Sequence, residues 1–250
     1  VSTLESSPYL KEMSFIEHIK ELRIRLITSC AVIIACSVIA FFFYNWIIKL
    51  LYEPYMNLPG NTHQALYMMS LFEGFLIKIK VSILSGIIIS SPVHIYNIVK
   101  FITPALKRKE QKVLQLALLF GFLLVLCSVY YGYCYIIPIS VKFLTSSNFV
   151  PQHIGILLNF RDNIFYIIQF LFVCVIIFQL PIILVILLYM NILSRKKLLS
   201  WSRYVIITIF LFSALLTPPD FISQLAVALP LVVLYFITLV IAKIFKLGEK

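Results

Sequence analysis

Charged residues interrupt this chain so rarely that their positions mark out its elements. Between them lie six uncharged runs, at 26–48, 81–99, 113–141, 163–194, 204–219 and 221–242. A membrane-spanning helix needs roughly 20 predominantly apolar residues, and most of these runs meet that length. The last two flank a single acid in the sequence TPPDF (217–221). Two consecutive prolines cannot continue a helix, so the pattern predicts a tight turn between two spans. Six helices follow, at about 26–48, 78–99, 113–138, 164–190, 204–217 and 221–242. The predicted fold is an all-α polytopic membrane protein, a single membrane domain over 1–250 with no tandem repeat. The fifth helix is short, because 204–216 rises only about 20 Å against a hydrocarbon core of about 30 Å. The sixth carries Pro230 near its middle and is expected to kink there.

Composition removes the soluble alternative. The chain is 62% hydrophobic and 12% charged, where soluble domains average about 25% charged. Its net charge of +11 is distributed as a topology signal. With the N-terminus inside, the segments facing the cytoplasm hold Lys11, Lys20, Arg23 and Arg25, then Lys100, Lys107, Arg108, Lys109 and Lys112. Arg195, Lys196, Lys197, Arg203, Lys243, Lys246 and Lys250 complete the set, 16 of the 21 basic residues. The positive-inside rule therefore puts both termini in the cytoplasm. A nucleic-acid footprint would instead gather the charge on a soluble face, so no nucleic-acid partner is expected. All five cysteines fall inside apolar runs without a CxxC pair, which predicts neither a disulfide framework nor a metal site. Residues 1–25 contain no apolar core of the signal-peptide type, and the first helix is expected to act as its own insertion signal.

The densest chemistry lies just before the first span, in EHIKELRIRL (17–26). Phe15, Ile16, Ile19, Leu22 and Leu26 follow helical spacing and make one apolar stripe. An amphipathic helix at the cytoplasmic surface, running into the first span, fits this pattern. Glu21 and Arg25 stand at i, i+4 and can pair. Glu17 and Glu21 are a like-charged pair at the same spacing, an accumulation of carboxylate that suits a cationic partner. A coupled secondary transporter would place ionisable groups at mid-membrane, and the uncharged runs hold none. An intramembrane enzyme would need a motif such as HExxH or GxSxG, and neither is present. The four histidines are scattered, with no metal spacing, and no cofactor is called for.

Several stretches carry a resemblance to a known family. HIKELRIRL (18–26), LYEPYM (51–56), LFEGFLIKIK (71–80), FITPALKRKEQK (101–112), YYGYCYIIP (130–138), FQLP (178–181) and TPPDFISQLAVALP (217–230) resemble, in order, the elements of the TatC family. TatC proteins are the polytopic receptor subunits of twin-arginine protein translocases. The resemblance implies that signal peptides bearing two consecutive arginines, on folded cargo, dock on the cytoplasmic face. The family's recognition positions fall on Glu21, Arg23 and Glu110. A carboxylate pairs bidentately with guanidinium in a geometry that lysine cannot copy. Glu110, the sole acid among Lys107, Arg108, Lys109 and Lys112, has neutralisation of those neighbours as its plainer role.

The resemblance also implies small single-span partners of the TatA/TatB type, self-association in a multi-subunit complex, and location in a bacterial inner membrane or, less readily, an organelle membrane. Gln179 stands where many family members carry glutamate. An amide there keeps a polar contact to a partner helix but no role needing negative charge; bonding to another helix of the same bundle is the alternative. Gln179 is expected to face a groove with the last two helices. Pro54, Phe72, Glu73 and Asp220 match family positions at the outer side, and Asp220 equally suits an N-cap for the last helix.

Overall fold

The computed structural model of the chain describes residues 15–56, 66–102, 111–145, 158–190, 192–217 and 221–248. Ten helices occur among them: α1 (Phe15–Phe42), α2 (Tyr44–Met56), α3 (Leu71–Ile102), α4 (Gln111–Tyr131), α5 (Ile137–Leu144), α6 (Phe160–Ile177), α7 (Leu180–Tyr189), α8 (Arg195–Ser200), α9 (Ser202–Leu216) and α10 (Phe221–Ile244). A π-helical turn, Gly132–Ile136, joins α4 to α5. Four stretches are long and apolar enough to cross a membrane: Ile16–Phe42, Leu118–Leu144, Phe160–Tyr189 and Phe221–Ile244. The shorter apolar helix Ser202–Leu215 accompanies them.

The charged segment before the first span and the span itself form one unbroken helix, α1. Its far end differs from expectation. The uncharged run to residue 48 is divided at Phe43, where the helix stops and α2 begins, with Trp46 and Ile47 N–H both donating to the Phe43 carbonyl. The run expected as one helix over 164–190 is likewise two helices, broken at Phe178 and Gln179. Pro181 has no N–H to give the Ile177 carbonyl, and Gln179 N–H bonds Ile176, three residues back, instead. The span expected over 113–138 continues through the π-turn to Leu144.

The core lies where α3, α6, α10 and the π-turn meet, around Ile77, Val81, Ile136, Ile164, Ile167 and Val227. By contrast α1 packs mainly on α3 and leaves Ile27, Ile34, Val38, Ile39 and Phe42 exposed. Apolar surface on that scale is stable only against lipid. Gly86 of α3 sets the closest approach to α1. A Cβ there would stand 2.6 and 2.7 Å from the Ser37 backbone N and Cα. Small residues let membrane helices pack at backbone distance in this way.

Three helices contain an internal proline, each leaving the carbonyl four residues back without its N–H. Hydroxyl groups take up all three carbonyls. Pro54 frees Leu50, which accepts from Tyr133 Oη at 2.7 Å. Pro92 frees Ile88, which accepts from Ser91 Oγ at 2.6 Å. Pro230 frees Ala226, which accepts from Tyr131 Oη at 3.1 Å. Just before Pro138 the ladder widens to a π-turn, Ile137 N–H reaching Gly132 five residues back. In lipid no water is available for an orphaned carbonyl, so these hydroxyls are what make the internal prolines tolerable.

Two short strands, Leu66–Tyr67 (β1) and Leu158–Asn159 (β2), pair in parallel just before α3 and α6. Both helices are then capped by side chains. Glu73 Oε2 accepts from Met69 N–H at 2.7 Å, and Asn159 Oδ1 accepts from Arg161 N–H at 2.8 Å. The carboxylate also complements the positive end of the α3 dipole.

Candidate functional site

At the basic end of the bundle, the start of α1 lies against the end of α3. His18 stacks on Phe101 with ring centroids 4.2 Å apart and 18° between planes. One helical stretch further in, Asn97 Nδ2 donates to Ser29 Oγ at 2.9 Å. Between these two contacts an open depression of about 460 Å³ is lined by Glu17, Lys20, Glu21, Ile24, Arg25, Thr28, Tyr96, Asn97 and Lys100. Its α1 wall comes from i, i+3, i+4 spacing, which puts Glu17, Glu21, Ile24 and Thr28 on one face. Its α3 wall is the last turn and a half of a helix whose terminal Lys100 lies over the Tyr96 ring at 5.4 Å.

Glu21 and Arg25 form an ion pair on this wall. Arg25 Nε donates to Glu21 Oε1 at 3.0 Å, and Nη2 donates to the same oxygen. Arg23 does not line the depression, since two residues along a helix turn its side chain away from Glu21. Glu110 lies outside the described residues, in the connection that follows α3. Tyr96, Asn97 and Lys100 were not singled out from the sequence. The available signal was three polar or ionisable residues in five positions at the end of an otherwise apolar run.

Gln179 lies elsewhere. Its Nε2 is 3.5 Å from the Gly121 carbonyl of α4, while Oε1 is buried without a hydrogen-bond partner. A Cβ on Gly121 would stand 3.0 Å from Ile182, 3.1 Å from Ile95 and 3.6 Å from Gln179 Oε1. The amide therefore sits where α3, α4 and α7 converge, not in a groove with α9 and α10 as the sequence led us to expect. Gly121 is three residues, about 5 Å at 1.5 Å per residue, inside the start of the apolar stretch Leu118–Leu144.

Of the remaining positions, Phe72 and Glu73 stand at the start of α3, the end away from the depression. Glu73 is buried at the start of α3 while neighbouring Phe72 is 77% exposed. Pro54 is inside α2. Asp220 lies outside the described residues. Among the described residues no cluster of three histidines, cysteines or carboxylates suits a metal ion.

An all-α bundle of several apolar helices, with polar groups gathered at helix ends and breaks, is the architecture of a polytopic membrane transport protein. A family profile described as Sec-independent protein translocase protein (TatC) matches residues 17–230. The tatC-like protein ycf43 of Cyanidium caldarium is 34% identical over 237 residues, 94% of this chain and 96% of that one. The Sec-independent protein translocase proteins TatC of Carboxydothermus hydrogenoformans and Aquifex aeolicus are 30% and 32% identical, over 96% and 93% of this chain and 96% and 95% of their own. A crystal structure of a twin arginine translocase receptor, TatC, in DDM superposes with a TM-score of 0.80 at 31% identity, covering 90% of this chain and 99% of that one. The chain belongs to the TatC family of Sec-independent protein translocase proteins. It is a translocase subunit, a component of a multi-subunit membrane machine, and not an enzyme.

Proposed function

We propose that this chain is the receptor of its translocase, binding the two consecutive arginines of a signal peptide on folded cargo at the basic end of the bundle. The observation that carries the reading is the depression between α1 and α3. It sets Glu21 against the end of α3, the helix after which Glu110 follows in the sequence. Two carboxylates, Glu21 and Glu110, match two guanidinium groups in number and charge, and each charge-assisted bond contributes about 1.5–3 kcal/mol. Arg23, on the neighbouring face of α1, orients the peptide backbone or its acidic groups. The crystal structure that shares this fold is of a twin arginine translocase receptor, which supports the same assignment.

The rest of the reading extends from there. The chain is one TatC-like membrane domain over 1–250 with six spans, α3 and the short α9 joining the four long apolar stretches. The basic end and both termini face the cytoplasm. Gln179, with an unused acceptor at a helix break, receives a polar group from the transmembrane helix of a TatA/TatB-type single-span partner, and copies of the chain associate in the assembled complex. The membrane is the bacterial inner membrane or its organellar counterpart. Relatives include bacterial proteins and the tatC-like protein of Cyanidium caldarium, and the sidedness is the same in both settings.

The test is binding and export in defined variants. Glu110→Gln should weaken binding of a twin-arginine signal peptide roughly ten-fold or more. Glu110→Lys should abolish export of twin-arginine cargo while leaving membrane insertion intact. A photoreactive residue at position 179 should capture a single-span partner helix. Unchanged peptide binding in both Glu21→Gln and Glu110→Gln would refute the receptor assignment.

A further inference from the structure

We infer that Arg25 is a resident occupant of the Glu21 carboxylate, so that a cargo arginine gains the receptor site only by exchange with it. The inference rests on the receptor reading above and concerns how that site is regulated. Three observations carry it. Both donors that Arg25 offers converge on one oxygen, Glu21 Oε1. The other oxygen, Oε2, is buried and has no hydrogen-bond partner among the described residues. The Arg25 and Glu21 side chains are only 16% and 18% exposed. A carboxylate has about four acceptor positions, and here the chain's own guanidinium takes two, on Oε1, while Oε2 is withdrawn from solvent. The cargo-free site is therefore closed at the carboxylate, although the depression around it is open.

The closed arrangement is also easily undone. Arg25 is tethered one helical turn away, so its pairing owes more to proximity than to geometry, and pairs of this spacing are weak. It uses a single oxygen, whereas an incoming guanidinium can span both in parallel. Rotation of the Glu21 carboxyl toward the depression gives the buried Oε2 a donor that it lacks in the closed state. Lys20 and Lys100, which share the depression, are point charges that cannot reproduce the two-pronged contact. Arg25 thus acts as a competitor that lowers affinity for every ligand of Glu21 by a common factor. Discrimination between arginine and lysine belongs to the carboxylate itself.

The experiment measures binding of a synthetic twin-arginine signal peptide, and of its twin-lysine counterpart, to the full chain in lipid nanodiscs by fluorescence anisotropy. Arg25→Gln should tighten both peptides by the same factor, about two- to five-fold for an ion pair of this exposure. Arg25→Lys retains the charge and the insertion signal and should give a smaller gain of the same sign. In a Glu21→Gln background, Arg25→Gln should change nothing, because the contested carboxylate is gone. If Arg25→Gln weakens or leaves unchanged a binding that Glu21→Gln abolishes, Arg25 positions Glu21 and the exchange proposal is overturned alone. If Glu21→Gln binds the peptide as well as the unaltered chain, the receptor assignment of Glu21 fails, and the exchange proposal with it.

Discussion

The hydroxyl of Tyr131 is a sharp test of how this bundle tolerates its prolines. Pro230 removes the N–H that would bond the Ala226 carbonyl, and Tyr131 Oη, on another helix, donates to that carbonyl at 3.1 Å. Tyr131→Phe deletes this donor and keeps the ring, which stacks on Tyr135 at 5.6 Å and lies 6.4 Å from Phe178. A hydrogen bond in a folded protein contributes about 0.5–1.5 kcal/mol net, and interhelical bonds in membranes average about 0.6. An acceptor left unsatisfied costs more, about 1–3 kcal/mol, so the expected loss is about 1 kcal/mol. Pro230→Ala restores the backbone N–H that Ala226 lacks. In that background Tyr131→Phe should cost only a few tenths, giving a coupling of about 0.5–1 kcal/mol. The assay is reversible unfolding in mixed micelles, followed by the fluorescence of the chain's two tryptophans. Additive losses in the double variant would show that tyrosine and proline do not serve the same carbonyl.

Two further perturbations probe other contacts. Gly86→Ala should destabilise the packing of α1 on α3 by about 1–3 kcal/mol, the usual range for overpacking. Ser37→Ala should not rescue it, because the added methyl meets the Ser37 backbone at 2.6 and 2.7 Å; the same unfolding assay checks both. Glu73→Gln should weaken the start of α3 by about 1 kcal/mol through loss of the charged cap on Met69 N–H. Hydrogen exchange at Met69 and Ser70 should rise first, while peptide binding at the other end of the bundle stays unchanged.

Much of the architecture was legible in the sequence because lipid penalises charge so heavily that uncharged runs and helices nearly coincide. The coincidence fails where helices end without a charge. FFFYNW (41–46) holds no proline, glycine or charged residue, so nothing local marked the break at Phe43. At Pro181 the break was foreseeable, since proline cannot serve the Ile177 carbonyl. The direction of Gln179 was not foreseeable, because it depends on Gly121, 58 positions away in the chain. The candidate site divides in the same way. Helical spacing revealed Glu21 and its i, i+4 partner Arg25, a contact that local geometry dictates. Asn97 and Tyr96 belong to the same depression only through the packing of α3 on α1, and no short-range pattern announces it.

Tyr131 and Tyr133 stand at the two sides of a single peptide-ladder defect, the start of the π-turn, and hold the proline sites of two different helices, α10 and α2. The bundle is in this respect a jointed frame. Each joint is closed by one detachable hydroxyl clasp, and both clasps are mounted on the same strut. Re-aiming α10 at Pro230, or the last turn of α2 at Pro54, loosens a hydroxyl bond to a carbonyl that proline already leaves without its N–H. A shift of the strut by an ångström loads both joints together.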